Sequence, residues 1–277
     1  MGWFEAVVLG VVQGLTEFLP ISSNAHLRIV GAAFGWPDPG AAFTAIIQIG
    51  TELAVLVYFA RDIARIVAAW VGSLTGRRKR DDPDARMGWL IIVGTIPIVI
   101  LGLLFQKQIE TSLRDLRIIA IALVVFSLVL YVADRRGAKD LHLDDLTVRH
   151  GIIYGFAQAA ALIPGVSRSG GTITAGLFLG YTRAAAARYS FLLAIPAVLG
   201  SGAYETYKAF KGGVHGTQVD WPPTILATVL AFVVGLSVIA WLLRYLNRGS
   251  FVPFVVYRVV LGLTVLALVG LGVLNPT

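Results

Sequence analysis

The chain has 277 residues, of which 57% are hydrophobic and 14% are charged, and its formal net charge is +7. Soluble domains carry about 25% charged residues, so this composition excludes an ordinary soluble protein and indicates an all-α polytopic membrane protein. The absence of cysteine excludes disulfides and cysteine nucleophiles, and positive charge concentrated in loops favours membrane lipids over nucleic acid as the partner.

The predicted elements alternate between interrupted apolar segments and complete spans. Residues 1–37 are broken at "LPISSN", and residues 151–181 are broken around Pro164, so each of these segments is predicted to form a re-entrant hairpin of two short helices. Six other stretches are predicted to cross a hydrocarbon core about 30 Å thick. In chain order they are 42–60, 87–105, 118–133, 187–204, 224–243 and 253–274.

The distribution of lysine and arginine predicts the orientation of these spans. Residues 61–86 contain a dense cationic run, "RRKRDDPDAR", and are placed in the cytoplasm with that run as a solvated loop. Residues 106–117 then lie outside, and the cations of 135–149 return inside. Tyr257 and Arg258 begin the last span and are expected at the membrane interface.

Each half of the chain therefore consists of one broken hairpin followed by three transmembrane helices, and the two halves have inverted topology. We predict a single membrane domain, 1–277, with one repeat at about 1–137 and the other at about 145–277. An offset of 145 residues places Gln13 on Gln158 and Ser22 on Ser167. Inverted repeats bring broken helices together near the bilayer midplane, so the two breaks are expected to meet.

The breaks contain groups that are expensive to bury in lipid. A charge in hydrocarbon costs about 3 kcal/mol or more, so Glu17 and Arg168 are expected to face a polar cavity or each other. The segment "PGVSRSGGT" (164–172) combines a guanidinium, hydroxyls and glycine amides, a set suited to phosphate. The structural alternative is that Arg168 only pairs with Glu17 and that the serines only cap helices. Gln13 and Glu17 share a helix face that suits Mg²⁺ or Ca²⁺, or that orients water or a histidine.

Two motifs resemble a known family. "QGLTEFLPISSNAHL" (13–27) and "PGVSRSGGT" (164–172) resemble the signature motifs of the undecaprenyl-diphosphate phosphatase, or bacitracin-resistance, family, and the resemblance covers nearly the whole chain. It implies hydrolysis of undecaprenyl diphosphate to undecaprenyl phosphate and inorganic phosphate, which recycles the lipid carrier for cell-wall synthesis. It also implies a bacterial inner-membrane enzyme assisted by a divalent metal, with a site open to the periplasmic (outer) side, and it is compatible with a homodimer.

Carried over by position, the resemblance implies catalytic roles for Glu17, Ser23, His26 and Arg168, and a metal on Glu17 and Gln13. Substrate-binding roles are expected for Ser22, Asn24, Gly165, Ser167, Ser169 and Gly170. Gln13 stands where the family often has glutamate, and Asn24 where threonine is common. The nucleophile stays open between Ser23, activated by His26 or Glu17, and His26 itself or a water that it activates. The rival hypothesis is a secondary transporter or flippase of a polyprenyl phosphate lipid, because carriers are also built from inverted repeats with broken helices.

Overall fold

The computed structural model describes residues 1–79, 81–211 and 219–276, so Arg80 of the predicted cytoplasmic run lies outside the described residues. In these ranges the chain forms twelve α-helices joined mostly by short connections. They are α1 (Trp3–Thr16), α2 (Ser23–Ala33), α3 (Gly40–Tyr58), α4 (Ala60–Leu74), α5 (Pro83–Leu104), α6 (Gln106–Glu110), α7 (Leu116–Arg136), α8 (Val148–Ala160), α9 (Arg168–Phe178), α10 (Arg183–Phe210), α11 (Trp221–Tyr245) and α12 (Val252–Gly270).

Five of these helices are long and apolar enough to cross a membrane, namely α5, α7, α10, α11 and α12. A sixth span is possible if the bent pair α3 and α4 is counted as one. Many large apolar side chains on these helices are exposed, as expected for surfaces that face lipid. The prediction of an all-α, multi-pass membrane protein is therefore confirmed.

The helix α4 is absent from the sequence prediction, which assigned no element to residues 61–76. It turns away from α3 by 80° and packs along α5. Its Ile66 and Ala69 are buried, whereas Arg61 and Arg65 are exposed, so the helix is amphipathic. Apolar residues at positions 63, 66, 70 and 74 follow helical spacing, and this signal could have predicted it.

Helices from the two halves of the chain interlock. The first helix of one half packs on a span of the other, since α1 contacts α11 and α8 contacts α5. Between the halves, α3 also packs on α10 and α7 packs on α12. The hairpin helices α2 and α9 both have 11 residues and begin at the predicted 145-residue offset, as do α1 and α8. This order is consistent with two repeats in one domain, whose boundaries and inverted direction stay predictions.

Candidate active site

Each hairpin break ends in a serine that stands just before the second short helix. Ser22 precedes α2 and Ser167 precedes α9, and both have a φ of 72°, which non-glycine residues rarely adopt. The Ser22 hydroxyl accepts a hydrogen bond from the Gly165 amide at 3.2 Å, which joins the first break to the second. The Ser167 hydroxyl accepts from the Gly170 amide at 3.1 Å and caps α9. The two breaks are therefore in direct contact.

Glu17 is the centre of the polar network between the breaks. Its Oε1 forms an ion pair with Nη2 of Arg168 from the opposite break. Its Oε2 accepts from the Ser23 hydroxyl at 2.5 Å and from the Gln13 side-chain amide at 2.8 Å. The Glu17 side chain is 4% exposed, whereas that of Arg168 is 18% exposed. Both charges are thus paired, and the arginine is the member that an incoming ligand can reach.

The remaining residues predicted to bind substrate hold the two breaks in shape. The Ser169 hydroxyl lies 3.1 Å from that of Ser167 and donates to the Leu19 carbonyl at 3.0 Å, so it connects α9 to the first break. The Asn24 side-chain carbonyl accepts from the Gln48 amide at 3.1 Å, which ties α2 to α3. Of the contacts in the structural alternative, the Arg168–Glu17 ion pair and the Ser167 cap are present, whereas the Ser22 side chain makes no cap bond to the described residues of α2 and Ser169 bonds to the first break. The phosphate-binding prediction for these residues stays a prediction.

His26 is bonded away from the Glu17 network. One ring nitrogen, Nδ1, lies 2.8 Å from the Ser22 carbonyl, and Nε2 lies 2.7 Å from the Tyr257 hydroxyl. The two rings are stacked, with centroids 5.5 Å apart and planes 11° apart. If Nδ1 carries the proton and donates it to the carbonyl, Nε2 accepts from Tyr257. Within the described residues, the side chain that accepts from Ser23 is Glu17 rather than His26.

Arg258 was expected at the membrane interface, and that prediction is wrong. Its side chain is completely buried, and its guanidinium donates to the carbonyls of both breaks. Nη1 bonds to Pro20 O at 2.9 Å, and Nη2 bonds to Gly165 O at 2.8 Å and to Val166 O at 3.2 Å. Tyr257, beside it, holds His26. The signal was an arginine inside an otherwise uncharged apolar helix, the same signal that singled out Glu17.

The groups around Glu17, as they are arranged, do not form a coordination shell for a divalent cation. Mg²⁺ and Ca²⁺ take six or more oxygen ligands, whereas Glu17 accepts from arginine, serine and amide donors. No cluster of three or more His, Asp or Glu side chains that could hold a metal occurs in the part of the chain that the structure describes. The Gln13 side-chain oxygen and Glu52 Oε1 are nevertheless buried without a hydrogen-bond partner. The predicted metal on Glu17 and Gln13 stays a prediction, and no step below depends on it.

Comparisons with known proteins agree over the full chain. The family model described as "Bacitracin resistance protein BacA" matches residues 6–264. The chain is 62% identical over 277 residues to "Undecaprenyl-diphosphatase" of Pseudarthrobacter chlorophenolicus, with 99% of this chain and 100% of the relative covered. It is 58% identical to "Undecaprenyl-diphosphatase 2" of Streptomyces coelicolor, with coverage of 100% and 98%. The chain therefore belongs to the bacitracin resistance protein BacA family.

Proposed function

We propose that this membrane protein hydrolyses undecaprenyl diphosphate to undecaprenyl phosphate and inorganic phosphate, which recycles the lipid carrier for cell-wall synthesis and confers bacitracin resistance. The shared name of its full-length relatives supports this activity. The observation that carries it is the position of Glu17 inside a membrane domain, where it pairs with Arg168 of the opposite helix break and accepts a hydrogen bond from Ser23. A phosphate-binding group, a base and a hydroxyl nucleophile are thus assembled at one point.

Substrate binding is an exchange of partners at Arg168. In the structure its charge is neutralised by Glu17. Phosphate oxygens offer the same guanidinium a bidentate contact and carry more negative charge than one carboxylate. Arg168 is partly exposed and turns to the terminal phosphate, where it stabilises charge in the transition state. Glu17 then loses its cation while it keeps its hydrogen bond from Ser23.

Ser23 is the nucleophile that this geometry favours. Glu17 takes the hydroxyl proton across the existing 2.5 Å bond while Ser23 Oγ forms a bond to the terminal phosphorus. The bond from that phosphorus to the bridging oxygen breaks, and undecaprenyl phosphate leaves with the electron pair. His26 is the second base, and we assign to it the proton of the water that attacks the phosphoserine. The water oxygen bonds to phosphorus, the bond from phosphorus to Ser23 Oγ breaks, and Glu17 returns its proton to Ser23 as inorganic phosphate is released. Tyr257 holds the His26 ring until that step.

We also propose that the protein lies in the bacterial inner membrane, with the active site open to the periplasmic side. The dense cationic run at 77–86 supports this orientation, because such runs stay in the cytoplasm. A homodimer is proposed on the family resemblance alone. Light scattering of the detergent-solubilised protein, corrected for bound detergent, measures its mass directly.

Phosphate release from farnesyl diphosphate in detergent micelles tests the activity, because a carrier needs two compartments and consumes nothing. The wild type should release inorganic phosphate, and Arg168→Ala and Glu17→Ala should each lose most of it while remaining folded. The same assay with and without chelator tests the metal prediction. A folded wild-type protein that moves the lipid across vesicles and releases no phosphate would make it a carrier.

Single-turnover measurements test whether Glu17 acts in the first step and His26 in the second. With substrate labelled on the terminal phosphate, His26→Ala should accumulate label on Ser23, because the water step is lost after Ser23 has been phosphorylated. Ser23→Ala should take no label. His142→Ala is the matched control, since His142 is exposed in a loop, and it should behave as the wild type. Full turnover by Ser23→Ala would make water the nucleophile.

A further inference from the structure

An open cavity of about 920 Å³ lies beside the second half of α2, away from the Glu17 network. It is formed by α2 with the loop that follows it, by residues 111–115, and by the segment after α12. In the predicted topology, residues 106–117 and the segment after the last span lie on the outer side. The cavity is therefore on the side to which the active site is proposed to open.

Arg28 is the residue in this cavity that lacks hydrogen-bond partners. It is 6% exposed, and within the described residues none of its guanidinium nitrogens makes a hydrogen bond. Its contact with Asp38 is an ion pair of 3.6 Å between Nε and Oδ2, which is longer than a hydrogen bond. A guanidinium has five N–H donors, and buried donors without acceptors are rare in native proteins. Arg28 thus has a buried Nε without an acceptor, and its two terminal nitrogens make no hydrogen bond to the described residues.

Asp38 does not account for Arg28, because it is already neutralised by another arginine. Both Asp38 oxygens accept from Arg114, with Nε at 2.6 Å from Oδ2, and Oδ1 also accepts from the Gly40 amide. Burial alone would raise the pKa of the Asp38 carboxyl, but hydrogen bonding and charge from Arg114 outweigh burial, so this pKa is lowered. Asp38 is therefore ionised, and two guanidinium groups face one carboxylate.

Asp115, the other acid in the cavity wall, does not cancel this excess of positive charge. Both oxygens of Asp115 accept from Arg117, and Arg117 is not among the residues that line the cavity, so this carboxylate is paired outside the cavity wall. Thr111 and Ser112 also line the cavity, although the Thr111 hydroxyl donates to the Lys107 carbonyl at 2.7 Å and is not a free donor. The cavity thus offers one surplus positive charge and the unpaired donors of Arg28, which is the chemistry that binds a phosphate anion.

We propose that this cavity is a second anion site, in which Arg28 and Arg114 bind a phosphate group separately from Arg168. Arg28 is five residues beyond Ser23 on α2, which places it about 7.5 Å further along the helix axis. The ligand is either released orthophosphate or the diphosphate headgroup of the arriving lipid. Phosphate as the ligand rests on the proposed function, but its binding is measured without turnover.

Calorimetric titration of inorganic phosphate into Arg168→Ala protein tests the site, because the arginine of the proposed active site is then absent. This protein should bind phosphate, and adding Arg28→Gln should weaken binding about tenfold through loss of charge-assisted bonds. Adding Arg248→Gln is the control, since it removes an exposed arginine outside the cavity wall and should change nothing. Arg28→Lys keeps the charge without the fork and should also weaken binding if Arg28→Gln fails to fold. Undiminished binding in the folded Arg28 variants, or no binding by Arg168→Ala alone, overturns the proposal.

Kinetics with Arg168 intact identify the source of the phosphate. If the ligand is released orthophosphate, Arg28→Gln should raise the inhibition constant of added phosphate and leave KM unchanged. If the ligand is the lipid headgroup, KM should rise instead. Neither change, in a folded and active variant, would refute the site. A wild type without phosphatase activity would refute the proposed function and leave the calorimetric result intact, so the two failures are distinguishable.

Discussion

Replacing Arg258 with methionine should separate the two breaks. Methionine has a similar length but no donors, so the carbonyls of Pro20, Gly165 and Val166 each lose a partner. All three residues are buried. An unsatisfied buried acceptor costs about 1–3 kcal/mol, so three should cost about 3–6 kcal/mol after some relaxation. That is a large part of the 5–15 kcal/mol that stabilises a typical domain.

The assay combines thermal unfolding in detergent with phosphate release from farnesyl diphosphate. Arg258→Met should unfold at a clearly lower temperature and lose turnover, because the breaks position Glu17 against Arg168. Arg258→Lys keeps the positive charge, but a single ammonium is not expected to reach carbonyls on both breaks, so it should recover only part of either property. Arg248→Met, at an exposed position, is the control. The reasoning is refuted if Arg258→Met matches the wild type in both measurements.

Two further substitutions test the surroundings of the site. Tyr257→Phe keeps the stacked ring but removes the hydroxyl bonded to His26. We therefore expect kcat to fall about tenfold with a shifted pH profile and little change in KM. An unchanged pH profile would remove Tyr257 from the mechanism. Gly165→Ala should destabilise the fold by about 2 kcal/mol or more, because the residue has a φ of 99° and a Cβ there would lie 2.4 Å from the Ile119 carbonyl oxygen. Gly200→Ala, with open space around the added methyl group, should unfold at or above the wild-type temperature, and equal melting of the two variants would contradict the steric argument.

The sequence was sufficient to predict the spans, the two breaks and the polar junction at which Glu17 and Arg168 lie. These predictions depend on local hydrophobicity and on the cost of burying a charge in lipid, and both are visible in a short window of residues. The interlocking of helices from the two halves depends on tertiary contacts, and the 145-residue offset supported it only weakly.

Other parts of the site could not be predicted from local sequence. Arg258 and Tyr257 lie more than 200 residues from the first break, and their partners there are a backbone carbonyl and His26. Backbone carbonyls leave no trace in residue identity, so nothing in the sequence linked Arg258 to Pro20. The choice between Glu17 and His26 as the partner of Ser23 was also open, because it depends on how α1 and α2 meet.

Ser22 and Ser167, which end the two breaks, keep their hydroxyl groups in a backbone conformation that lowers stability. Positive φ angles of 72° impose a strain of about 1–3 kcal/mol each on serine, which glycine would largely avoid. Glycine has no hydroxyl, whereas each serine hydroxyl accepts a hydrogen bond from a backbone amide of the second break. A design method that rewards backbone fit alone would therefore replace both serines and loosen the junction that the proposed catalytic groups share. For engineering this fold, the backbone geometry at Ser22 and Ser167 should be treated as a functional constraint.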